Sequence, residues 1–100
     1  MSNKVLIQVP HGLPAQMVVA YIDRCRVSLS ALKEALHRSD YEHARVFGHR
    51  LKGTGGGYGI PVLTEIGGAI ELAAIHKQNK ELEAQTTAIE DFISRIEVQP

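Results

Sequence analysis

The sequence predicts an all-α fold, an antiparallel up-down four-helix bundle preceded by a short extended N-terminal arm. Three observations predict it. Apolar residues recur every three or four positions in four separate stretches, the period of a helix with one buried stripe. Prolines and short polar pairs fall between those stretches, where helices start and stop. The connections are short, and helices joined by short links pack as antiparallel neighbours around one apolar core. One hundred residues with 44% apolar content suffice for a single such core.

At the N-terminus, Val5, Ile7 and Val9 alternate with Lys4, Leu6 and Gln8, a strand-like pattern stopped by Pro10. A lone strand makes no sheet, so residues 1–12 read as an arm leading into a bundle at 13–98. From Pro14, a first-turn proline, the residues Val18, Ile22, Cys25, Leu29, Leu32 and Leu36 form one stripe. It runs about 25 residues, a helix of roughly 37 Å ending near Arg38. Ser39 and Asp40 offer capping oxygens to a second helix. That helix starts near Tyr41, turns Ala44, Phe47, Gly48 and Leu51 inward, and ends within Gly53 to Gly59. Ile60-Pro61 opens the third helix, with Leu63, Ile66, Ile70, Ala73 and Ala74 inside and Gly67 and Gly68 permitting a close helix approach. Gln78-Asn79 breaks it, and the last helix carries Leu82, Thr86, Ile89, Phe92, Ile93 and Ile96.

Several functions are disfavoured at once. Eleven acids balance eleven Lys and Arg, which leaves no basic surplus for coating nucleic acid. The single cysteine, Cys25, allows neither an intramolecular disulfide nor a Cys-rich metal site, and its helix-periodic position places it in the core. The apolar run VLIQV is too short for a signal peptide, and no segment approaches the roughly 20 residues needed to span a bilayer, so a cytoplasmic setting is expected. His11, His37, His43 and His76 lack a His or Cys four residues away, so they read as surface or boundary side chains. The glycines at 53–59 miss the spacing of a dinucleotide-binding turn, and no GxxxxGK phosphate loop is present for ATP.

The stretch from His49 to Gly59 carries the chemistry. At about 100° per residue, Phe47 and Leu51 each lie about 200° from His49. If they face the core, His49 faces solvent. Lys52 and Gly53 share the His49 face, and Gly56 continues it one turn on. A neutral imidazole is a good nitrogen nucleophile near pH 7, and an ammonium can offset charge on transferring phosphoryl oxygens. Each glycine in a helix interior costs roughly 0.8–1 kcal/mol against Ala. Helix packing explains the inward glycines, whereas clearance for a partner explains the outward ones.

These residues resemble the signature of the histidine phosphotransfer family. The likeness rests on His49-x-Leu51-Lys52-Gly53, small residues at Thr54 and Gly55, and Gly59 ten positions after the histidine. It extends over about residues 13–95, with Ser39-Asp40 at the family's helix junction and Leu63-x-x-Ile66 leading into Ile70-Glu71. Two features depart from the pattern: Gly48 stands where the family more often has alanine, and Gly55 to Gly57 leave open how far the second helix continues.

The resemblance implies a carrier that takes a phosphoryl group on His49 from an aspartyl phosphate and passes it to another receiver aspartate. The implied partners are response-regulator receiver domains, with a hybrid sensor histidine kinase as a further candidate. No autonomous kinase or ATPase activity is expected, and no cofactor; magnesium belongs in the partner's acidic pocket. His49 and Lys52 are the expected reacting pair. Val46, about 60° from His49, joins Arg50, Gly53 and Gly56 as candidate docking residues, with Met17, Val18 or Tyr21 completing the patch. The alternatives are a helical binding module that sequesters a receiver without being phosphorylated, and a structural dimerising bundle. A monomeric, free-standing protein is expected.

Overall fold

A computed structural model describes residues 3–99. Four α-helices form the body: α1 (Ala15–His37), α2 (Tyr41–Thr54), α3 (Pro61–Ile75) and α4 (Asn79–Arg95). Two short strands, β1 (Val5–Gln8) and β2 (Ile96–Gln99), flank them. The predicted inward stripes form the core. Val18, Leu32, Leu63, Ile70, Leu82 and Ile89 are fully buried, and Thr86 satisfies its hydroxyl on the Leu82 carbonyl at 2.7 Å.

Local chemistry sets the helix ends. Pro14 is the N-cap of α1, one position earlier than a first-turn proline. Asp40 caps α2 by accepting the His43 backbone N–H at 3.0 Å, while Ser39 takes a left-handed backbone in the turn before it. Pro61 opens α3 with its preset φ.

The N-terminal segment differs from an unattached arm. β1 pairs in parallel with β2, Val5 opposite Ile96 and Gln8 opposite Gln99. Ile96 therefore belongs to a strand and not to the last helix. Alternation is kept, with Ile7 buried, Val5, Ile96 and Val98 packed against the core, and Lys4 bridging Glu97 at 3.2 Å on the outside. The ribbon thus ties both ends of the described chain to one end of the bundle.

Helices α2 and α3 cross almost backbone to backbone. A Cβ on Gly48 would lie 2.5 Å from the Glu71 nitrogen and 2.6 Å from the Gly67 oxygen. One on Gly67 would lie 2.5 Å from the Lys52 nitrogen. Glycine at 48 is thus the residue this crossing requires. Gly68 is not part of it, since a Cβ there meets only the Lys52 side chain at ordinary contact distance.

Candidate functional site

Phe47 and Leu51 are buried on α2, and the helix period then turns His49 outward with 69% of its side chain exposed. Its ring is not free to spin. Nδ1 lies 2.8 Å from Oε2 of Glu71 on α3. The other carboxylate oxygen, Oε1, accepts from Lys52 Nζ at 3.3 Å. The glycine crossing makes this possible, because it brings the α3 backbone at residue 71 against α2 one residue before His49.

The electrostatics follow from that geometry. An ionised carboxylate only accepts hydrogen bonds, so the Nδ1 atom facing it carries the proton. The neutral ring then presents the Nε2 lone pair on the side away from Glu71. The hydrogen bond from His49, followed by that from Lys52, holds the Glu71 carboxyl below the usual carboxylate range, despite a desolvation effect in the other direction. The Glu71 side chain is only 15% exposed, whereas Lys52 keeps 55%. An ammonium so placed can reach both Glu71 and a phosphoryl group arriving at the imidazole.

The candidate docking residues separate into three kinds. Gly53 is exposed, and a Cβ there would meet nothing. Gly56 lies beyond the end of α2, in a 3-10 turn over Gly56–Tyr58, and its N–H donates to Thr64 Oγ1 at 2.8 Å. The α-helix therefore does not carry the His49 strip through Gly56; Gly55 packs too closely on Leu63 and Thr64 for a regular turn with any larger residue. Arg50 is exposed and Val46 half-buried, both on the flank of α2 that faces α1. Of the proposed first-helix contributors, Met17 is 45% exposed, but Val18 and Tyr21 are buried and cannot offer surface to a partner.

The sequence model of the Hpt domain family matches residues 16–99. The chain belongs to the Hpt domain family. Hpt domains are phosphotransfer carriers in two-component signalling and interact with receiver domains, and this chain shares that role. No curated protein and no solved structure matches the chain.

In this Hpt domain no helix is long and apolar enough to cross a membrane, among the described residues. Nor do these residues contain a group of three or more His, Cys, Asp or Glu able to hold a metal ion. Sequence reasoning did not foresee two contacts that the fold makes at the site. Glu71 had a faint signal in the Ile70-Glu71 pair, but its reach to His49 spans 22 positions and two helices. The second is the support behind α2. Tyr21 donates to Thr54 Oγ1 at 2.8 Å, Thr54 donates to the Arg50 carbonyl at 2.9 Å, and the Tyr21 ring stacks on Tyr58 with centroids 4.1 Å apart.

Proposed function

We propose that this chain is a phosphorelay carrier that accepts a phosphoryl group on Nε2 of His49 from a receiver's aspartyl phosphate. As the P–N bond forms, the P–O bond to the receiver aspartate breaks and its carboxylate leaves. The reverse step passes the group to a second receiver. One observation carries the reading: an exposed imidazole whose Nδ1 is held by a carboxylate, so that Nε2 is the outward nucleophile. Glu71 fixes tautomer and ring plane, and Lys52 offsets charge on the transferring oxygens. Val46, Arg50, Gly53 and Gly56 are the docking residues of this reading, with Gly53 the one that shares the exposed face of α2 with His49. Magnesium acts from the partner's acidic pocket, and the protein works as a cytoplasmic monomer that neither binds nor hydrolyses ATP.

The test is incubation with a panel of phosphorylated receivers. Acid-labile, alkali-stable phosphate should appear on the wild-type chain and vanish in His49→Gln. Stable receiver binding without any label would instead establish the sequestering module.

A further inference from the structure

Transfer leaves a charge at His49 that Lys52 alone does not balance. Before it, the Lys52 ammonium and the Glu71 carboxylate offset one another at 3.3 Å, and the ring is neutral. Afterwards the ring carries a phosphoryl group with roughly two negative charges and three acceptor oxygens, against one positive charge gained on the imidazole. A second cation within reach would complete the compensation.

Arg45 is that cation by position. It lies four residues before His49, and Lys52 lies three after it. Both sit to the same side of the imidazole, by about 40° and 60°, so they bracket the ring along the exposed face of α2. Side chains on a helix lean toward its N-terminus, so the imidazole overhangs the turn that carries Arg45. Attraction to Glu42 first, and to Glu71 after it, raises the Arg45 guanidinium above its ordinary value, which places Arg45 in the field of the carboxylate that holds His49.

At rest Arg45 is held by Glu42, with Nε donating to Oε2 at 2.9 Å and Nη2 to Oε1 at 2.6 Å. The Arg45 side chain is 39% exposed and that of Glu42 71%, and an ion pair so open to water contributes little. A phosphoryl group offers the same planar fork more charge and one more oxygen than a carboxylate does. The exchange moves no proton, since a guanidinium stays protonated throughout.

We infer that Arg45 is a second catalytic cation of the carrier, stored on Glu42 and passed to the phosphoryl oxygens as the P–N bond forms at His49. This rests on the carrier reading. Lys52 and Arg45 clamp the group from the two neighbouring turns, Glu71 stands behind the ring, and Glu42 sets how much of Arg45 is free.

Transfer is measured against the concentration of a receiver that labels wild-type His49. Arg45→Gln should lower the saturated rate about tenfold and keep the half-saturating concentration within about twofold, and Arg45→Lys should restore part of the loss. Glu42→Gln should raise the saturated rate about two- to threefold, and that gain should vanish in an Arg45→Gln background. Arg26→Gln removes the same charge from the matching Arg26–Asp23 pair on α1, and should leave the rate within about twofold. An unchanged saturated rate in Arg45→Gln, or a loss confined to the half-saturating concentration, would overturn the assignment. Equal slowing by Glu42→Gln and Arg45→Gln would reduce the pair to a helix brace and overturn it too. A gain from Glu42→Gln that survives without Arg45 would belong to the charge of Glu42 alone, with the same consequence. If no receiver labels the wild-type chain, the carrier reading itself fails and the Arg45 assignment goes with it; once His49 is labelled, the variants judge Arg45 alone.

Discussion

A carboxylate and an imidazole that meet across two helices decide which nitrogen of His49 is available. Without an acceptor at Nδ1 the two neutral tautomers mix and the ring turns about its side-chain bonds. Glu71→Ala is therefore expected to slow transfer from a phosphorylated receiver by roughly ten- to a hundredfold through lost orientation. Glu71→Gln should lose less, because an amide oxygen still accepts from Nδ1–H. Nitrogen NMR shifts of the ring provide the check: an unchanged Nδ1–H population in Glu71→Ala would remove the positioning role. Tyr21 offers a second residue-scale expectation. Burial raises its hydroxyl from 10.0 to about 12, against the pull of its hydrogen bond with Thr54. Since the folded value lies above the unfolded one, the stabilisation is complete below pH 10 and is lost as pH climbs through about 12. Urea unfolding across that window should show a decline that Tyr21→Phe flattens.

Two glycines on α2 have opposite reasons to be there. At Gly48 the neighbouring atoms are α3 backbone at 2.5–2.6 Å, which cannot swing aside. Gly48→Ala should cost about 1–3 kcal/mol in denaturant unfolding, as over-packed sites do, and should also loosen the His49–Glu71 contact. Gly53 has open space around it. Gly53→Ala should stabilise the protein by up to about 1 kcal/mol, the ordinary helix-propensity gain, while slowing transfer from the receiver. A stabilised variant with undiminished transfer would mean that Gly53 is not there for clearance. The contrast shows why a run of glycines resists a single explanation: Gly48 and Gly67 make a helix crossing, Gly55 makes the turn onto α3, and Gly53 leaves room.

At the scale of the molecule, the β1–β2 ribbon closes the bundle. Ile7 is 7% exposed, and the ribbon it anchors also supports the loop after α2, where a Cβ on Gly59 would lie 2.8 Å from the Pro10 ring. Ile7→Ala should destabilise by about 2–4 kcal/mol and lower the melting temperature by on the order of 10 °C. Thermal unfolding followed by circular dichroism tests this, and a change under about 2 °C would show that the ribbon is ornamental to stability.

Helical periodicity by itself determined four helices, their inward faces and the outward direction of His49, because each is a consequence of spacing along one element. Turn chemistry at Asp40 and Pro61 fixed two of the boundaries in the same local way. What joins distant segments was decided by tertiary structure. Ile96 to Gln99 alternates apolar and polar residues, yet four residues at the end of a helical pattern become a strand only when a second strand lies alongside. Glu71 reaches His49 only because Gly48 and Gly67 let two helices approach closer than side chains permit. Burial of Tyr21, which lies outside the apolar stripe of its helix, depends on which neighbours cover it. Local pattern reports the direction in which a side chain leaves its own element; the atoms it meets there are a property of the packed whole.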